Sequence, residues 1–419
     1  MSAVQLEVVD TLDAVDAGEW TALTGADPFT DHAFLALLEA TGCASAATGW
    51  LPRHLLLRRA GRLVGAVPVY LKSHSRGEFV FDHAWAQAYE RHGLTYYPKL
   101  VVAVPFTPVA GPRLLVAGDA EVPADMGAAD EVRALLAQGL IELTRRSGAS
   151  SVHVLFCGDA DRTALHEAGF LIREGVQFHW RNQADETGAR HASFDAFLAT
   201  MSHDKRKKLK QDRKRVASAG ITFRWLEGAE LTPAHLAFFY ACYERTYEAH
   251  WSSPYLSADF YPRLHAAEPD RLMLVLAERD GAPVACALNV KGRDPGDGVR
   301  VYGRYWGTTE FVSGLHFETC YAQSIDYCIA RGHAVFEGGA QGEHKMARGL
   351  MPVRTHSAHW IADRRFADAI GDFVGREAQA IDGYVDELQA SSPFKASGAA
   401  TSGASVTAPL GHPPDTDAA

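Results

Sequence analysis

Two stretches of the chain repeat one pattern of apolar and polar positions. In the first, His54-Leu55-Leu56-Leu57-Arg58-Arg59 and Leu63-Val64-Gly65-Ala66-Val67-Pro68-Val69-Tyr70-Leu71 flank Gly61-Arg62. In the second, Leu272-Met273-Leu274-Val275-Leu276-Ala277-Glu278 and Pro283-Val284-Ala285-Cys286-Ala287-Leu288-Asn289-Val290 flank Asp280-Gly281. Apolar runs of this length around a Gly turn predict β-hairpins. A helix is predicted after each. Phe317, Cys320, Tyr321, Ser324, Ile325 and Cys328 recur at helical spacing, with Ser313 placed to cap the helix and Gly332 to end it. Val132, Leu135, Leu136, Leu140 and Leu143 make the same stripe, ended by Gly148. Each helix leads into a short strand, 151–156 and 334–337. Each unit then closes on a similar tetrapeptide, Gln177-Phe178-His179-Trp180 and Ser357-Ala358-His359-Trp360.

The two Gly turns lie 220 residues apart, but the two His-Trp pairs only 180, so the first unit carries about 40 extra residues. These fall mainly between Lys72 and Val116, a stretch dense in Phe, Tyr, Trp and His. The order predicts two α/β domains with mixed sheets in tandem, 1–182 and 183–390, joined by a linker near 183–195. From 391 to 419 the chain is mostly Ser, Ala, Gly, Thr and Pro, which predicts disorder.

Composition narrows the function classes. At 419 residues, 47% hydrophobic and 22% charged, the chain is not disordered, collagen-like or a disulfide scaffold. No apolar run is long enough to span a membrane, and Met1–Asp10 lacks the order of a signal peptide, so a cytoplasmic location is expected. The six cysteines form no C-x-x-C pair and read as core thiols; no H-E-x-x-H or similar spacing predicts a metal. Neither a G-x-S-x-G elbow nor a P-loop is present, which argues against serine hydrolases and P-loop enzymes. Net charge is −10, against a general nucleic-acid coat protein. Yet 205–215, KRKKLKQDRKR, holds eight basic residues and one acid, +7 locally on a remainder of −17. Lys207, Lys208 and Arg213 are therefore candidate contacts to a phosphate, whether of tRNA, a nucleotide-sugar, CoA or a lipid head group.

Three segments carry candidate chemistry. The strand ending at Glu337 runs into Gly338-Gly339-Ala340-Gln341-Gly342-Glu343-His344-Lys345-Met346-Ala347-Arg348-Gly349. Loops at strand ends are where α/β sheets place ligands, and glycines let backbone approach them. Glu343 or His344 is placed to take a proton from an attacking amine. Glu337 sits at the strand end, where burial is expected to raise its pKa toward a useful value, and Lys345 and Arg348 are candidate contacts to phosphate or carboxylate. Gly303-Arg304-Tyr305-Trp306-Gly307 sets an Arg inside an aromatic strand, where it needs either Glu337 or an anionic substrate as partner. Asp82, Trp85, Tyr89, Tyr96, Tyr97 and Lys99 predict an aromatic pocket with polar tips, with Asp82 as a reserve base.

A hairpin, helix, strand and second helix ending in Glu167-Ala168-Gly169-Phe170 resemble the GNAT acyltransferase fold. Two such units, the second opened by a basic helix, resemble the Fem-type aminoacyl transferases. More closely, the chain is similar to the Fem-like family of peptidoglycan biosynthesis and recognition across roughly 30–365. That likeness rests on Asp82-His83-Ala84-Trp85-Ala86-Gln87-Ala88-Tyr89, Tyr96-Tyr97-Pro98-Lys99-Leu100 and Pro105-Phe106-Thr107-Pro108-Val109, together with 303–307 and 336–345. It implies N-acyl or aminoacyl transfer from acyl-CoA or aminoacyl-tRNA to an amine, a cell-wall precursor among the acceptors, with no bound cofactor. A GNAT enzyme that uses acyl-CoA presents a Gly-rich pyrophosphate loop before its central helix. Here that place holds Thr308-Thr309-Glu310-Phe311-Val312-Ser313-Gly314, and in the first unit Met126-Gly127-Ala128-Ala129 beside acids. Neither cradles an anion well, which weakens acetyl-CoA and leaves aminoacyl-tRNA, or another activated acyl donor, open. The competing class is a non-catalytic module binding an anionic polymer or cell-wall ligand through 205–215.

Overall fold

The computed structural model describes residues 4–117, 128–340 and 342–395. The first sequence unit supplies β1 (Val4–Val9), β2 (Trp50–Pro52), β3 (His54–Arg59), β4 (Arg62–Val67) and β5 (Val69–Lys72). It continues with β6 (Lys99–Val102), β7 (Leu115–Val116), β8 (Ser151–Cys157) and β9 (Leu171–Arg181). The second supplies β10 (Ile221–Glu227), β11 (Leu272–Arg279), β12 (Ala282–Lys291), β13 (Arg300–Thr308), β14 (Val335–Glu337) and β15 (Met351–Ile361). Both hairpins form through two-residue turns. Ala60-Gly61 and Asp280-Gly281 all have positive φ, the twist that suits right-handed strands. Pro68, which lacks an N–H, separates β4 from β5.

A four-stranded sheet has the order β1-β3-β4-β7. An eleven-stranded sheet has the order β10-β11-β12-β13-β14-β9-β15-β8-β6-β5-β2. The halves exchange their closing strands: β9 lies against β14, and β15 against β8. The two His-Trp strands thus lie side by side, Met351 opposite His179 and His359 opposite Leu171. The halves are therefore parts of one sheet, in the tandem GNAT-like arrangement the chain pattern predicts.

In each half two parallel strands pair for three residues and then part. Leu100–Val102 pair with Val152–Val154, and Arg300–Tyr302 pair with Val335–Glu337. The first divergence is closed by the chain itself. Gly111 bridges to Cys157, and the Arg113 guanidinium, 1% exposed, donates to the carbonyls of Leu155, Pro112 and Val109. The second divergence stays open.

Several local expectations change. The helix following β13 is capped by Gly314 at φ 87°, not by Ser313, and passes through a π-helical turn at Glu318–Ala322 before Gln323–Ala330. Gly332 does end it, at φ 66°. Residues 391–395 are ordered, against expectation: Phe394 bridges Met201, and the Pro393 carbonyl accepts from Ser202. The rest of the expected tail, 396–419, and Met126-Gly127 lie outside the described residues.

Candidate functional site

The open divergence holds a cavity of about 260 Å³. Its floor is β13 from Gly303 to Trp306 and the turn Gly338-Gly339-Ala340. Tyr243, Thr246, Tyr247 and His250 of the helix Pro233–Ala249 and its cap form one wall, and His316, Cys320 and Tyr321 another. His344 and Lys345 close the side. The cavity gathers Arg304, Tyr305, Trp306, Gly338, Gly339, His344 and Lys345, seven of the candidates named from sequence. Two glycines are fixed by close approach. A Cβ on Gly307 would sit 2.4 Å from the Cys242 carbonyl oxygen, and one on Gly338 would sit 2.6 Å from Leu350.

A β-bulge aims Arg304. Asn289 pairs with Gly303 and Leu288 with Tyr305, so Arg304 is the extra residue of β13 and drops out of the ladder. Its guanidinium lies over the rings of Tyr305, at 5.3 Å, and Phe29, at 6.0 Å, and Nη2 donates to the Phe106 carbonyl at 2.9 Å. Glu337 is not its partner. Glu337 pairs with Arg300 at 3.3 Å and faces His179 at 3.6 Å, beneath the cavity rather than in it. Burial pushes the Glu337 carboxyl up to about 7 against the pull of Arg300, and pushes His179 down to about 3. The raised carboxyl favours the neutral form in the fold. Stability from this group is present below its unfolded pKa and lost as pH rises towards 7. Glu337→Gln mimics the neutral form. Its melting temperature relative to wild type is therefore expected to climb between pH 5 and 8; a flat difference would deny the burial effect.

His344 is the base candidate that the geometry keeps. Its Nε2 lies 3.5 Å from the Tyr321 hydroxyl, and its ring packs against Phe317. Lys345, buried, donates to the carbonyls of Gly339 and Ala340 and so braces the glycine turn. Two neighbours depart from expectation. Glu343 is exposed and accepts from the Tyr384 hydroxyl at 2.7 Å, turned towards the C-terminal helix Arg364–Ala390. Arg348 stacks on Phe317 at 3.7 Å and donates to the His344 carbonyl, outside the cavity.

The candidates of the first unit do not reach the cavity. Asp82, Tyr96 and Lys99 lie in a separate buried cluster with Glu78, His153 and His359. Lys99 contacts Asp82 and Glu78, the Tyr96 hydroxyl donates to Asp82 at 2.6 Å, and His153 meets His359 at 2.7 Å. Burial would raise Asp82, but Lys99 beside it holds the carboxyl well below the usual carboxylate range. An acid so held is a poor base. Trp85 packs on His359, while Tyr97 and Tyr96 edge a separate, shallow surface pocket.

On the basic helix His203–Ser218, Lys207 and Lys208 are exposed, but Arg213 is turned inward. It pairs with Glu318 at 3.1 Å and Asp326 at 3.2 Å and stacks on Phe194. Between β13 and Gly314, Arg279 takes Glu310, and Thr308 and Thr309 both donate to the Val284 carbonyl. The Thr308 and Thr309 hydroxyls and the Glu310 carboxylate are thus spent internally.

The helix Pro233–Ala249 was the part of the site missed from sequence. Tyr240, Tyr243, Tyr247 and His250 recur at spacings of three and four, the one-face signature that would have marked it. Among the described residues no helix is long and apolar enough to cross a membrane, and no cluster of metal-ligating side chains is found.

No curated protein matches the chain by sequence. Among solved structures, FemX is similar at TM-score 0.51 and 12% identity, covering 88% of this chain and 100% of that one. L-PGS from Bacillus licheniformis is similar at TM-score 0.47 and 12% identity, over 84% of this chain and 98% of that one. A tandem GNAT protein from the clavulanic acid biosynthesis pathway reaches TM-score 0.41 and 13% identity, over 86% and 99%. FemX shares the fold, and residues 11–396 match a single family: the chain belongs to the FemAB-like family of peptidoglycan biosynthesis/recognition.

Proposed function

We propose that the chain is an acyltransferase that moves an acyl or aminoacyl group from an activated donor to an amine in the cleft between β13 and β14. The carrying observation is that open parallel-strand divergence, with a bulge at Arg304 and His344 on its side. The amine nitrogen attacks the donor carbonyl, the C–N bond forms, and the ester or thioester bond to the carrier breaks. His344 takes the proton from the amine and returns it to the leaving oxygen or sulfur. A backbone N–H released from the ladder at the bulge is the kind of donor that stabilises the developing oxyanion. Because the first divergence is filled by Arg113, the described residues form one such centre.

Aminoacyl-tRNA fits this cleft better than acyl-CoA. The loop that would cradle a pyrophosphate is bound to Val284 and Arg279, whereas Lys207 and Lys208 remain exposed on a nearby helix. The test compares melting shifts with acyl-CoA, uncharged tRNA and cell-wall nucleotide precursors, followed by transfer from whichever donor stabilises. Shifts from none of the donors would favour a binding module instead. Lys207→Gln with Lys208→Gln is expected to weaken tRNA binding and flatten its salt dependence without changing stability. Arg213→Gln is expected to do the reverse, lowering the melting temperature, because it strands Glu318 and Asp326.

A further inference from the structure

Three groups lining the cleft hold more donors than the hydrogen bonds shown for them use. Arg304 is 6% exposed, Tyr305 5% and Tyr247 2%, and all three line the cavity. A guanidinium carries five N–H donors. The hydrogen bond shown for this one goes to the Phe106 carbonyl, and it forms no ion pair among the described residues. The hydroxyls of Tyr305 and Tyr247 are buried without a hydrogen bond. Buried polar groups are ordinarily satisfied, and an uncompensated buried cation is costlier still. All three can donate, so what completes them is an acceptor carrying negative charge.

We propose that Arg304, Tyr305 and Tyr247 form a carboxylate-binding subsite. A carboxylate matches the planar guanidinium fork bidentately and has further lone pairs for the two hydroxyls. Among the described residues Arg304 is the cation the site offers a ligand, since the ammonium of Lys345 is directed at the carbonyls of Gly339 and Ala340. That suits a monoanion better than a phosphate, which carries about −1.5 to −2. Tyr243, Trp306 and Phe336 also line the cavity and favour an apolar body behind the charge. The inference rests on the transfer reading in one respect: there, the acceptor is an amine that also bears a carboxylate, as an amino acid or a peptide terminus does.

The test needs no turnover, so it stands or falls apart from the transfer chemistry. Melting shift and equilibrium dialysis are measured with 3-phenylpropionate, 3-phenylpropionamide and 2-phenylethylphosphonate. The acid is expected to stabilise the protein and the amide to do nothing. Arg304→Gln should abolish the shift, and Arg304→Lys should weaken binding about tenfold by losing the fork. Tyr305→Phe and Tyr247→Phe should each weaken it several-fold, while the unliganded variants melt no lower than wild type because their hydroxyls have no partner to lose. Those two variants keep the test intact if Arg304→Gln fails to fold. Equal shifts from acid and amide, a shift that survives loss of both hydroxyls, or no shift with the acid would each overturn the proposal. A phosphonate that outperforms the acid would reassign the subsite to phosphate.

Discussion

His344→Ala lowers turnover by about 100- to 10,000-fold while leaving the apparent KM of the acceptor nearly unchanged, the expected signature of a lost general base. The imidazole lines the cavity next to the glycine turn, and Tyr321 is within reach of its Nε2 at 3.5 Å. The side chain packs on Phe317 and Tyr321, so the melting temperature of the variant is measured beside its turnover to separate lost chemistry from lost packing. Glu343→Gln serves as the control on the same turn. Its carboxylate is exposed and bound to Tyr384, so turnover should change less than threefold. If Glu343→Gln matched His344→Ala, the proton would leave by the surface and the assignment would be wrong. Full activity in His344→Ala would mean that the acceptor amine arrives already neutral.

The contrast between those two neighbours shows how far the sequence can be read. Periodicity exposes what is repeated: two hairpins, two helical stripes and two His-Trp strands all form where the apolar pattern puts them. The exchange of β9 and β15 is not legible, because a strand's own pattern says which face is buried and not which neighbour it takes. The strand-end glycine segment was found from composition alone, since glycines and polar residues directly after a buried strand have few structural uses. Which of Glu343, His344, Lys345 and Arg348 face the cavity depends on the 3-10 turn Glu343–Arg348, whose tighter winding departs from the α-helical spacing one would assume. Asp82 misled for a different reason. An acid among aromatic residues reads alike whether it faces a ligand or a core, and what decides is Lys99, seventeen residues later in the chain at the start of β6. Arg304 had two readings from sequence. The structure removes Glu337 from it by giving that carboxylate to Arg300.

Lys99→Met should cost about 3–5 kcal/mol of folding stability, the largest effect expected at any site away from the cleft. The ammonium is fully buried between Glu78 at 2.7 Å and Asp82, with Ser75 Oγ at 2.8 Å. Removing it leaves two carboxylates, 4% and 3% exposed, facing each other with only Lys72 near, 4.0 Å from Glu78. Two like charges at that depth cannot both stay ionised, so one takes up a proton. Glu78 is the one that yields: burial has already pushed it up to about 7, whereas Asp82 still has the Tyr96 hydroxyl. The sign follows from that proton. In the variant the folded Glu78 carboxyl is raised further above its unfolded pKa and Asp82 loses the cation that held it down, so stability is present at low pH and lost as pH rises. The deficit against wild type should therefore be smaller at pH 5 than at pH 8, as read by urea denaturation at both. Asp82→Asn removes one of the two charges and should cost less, with turnover in the distant cleft unaffected. A Lys99→Met deficit that is small, or that shrinks as pH rises, would show that the cluster is held by packing and hydrogen bonds and not by the charge at its centre.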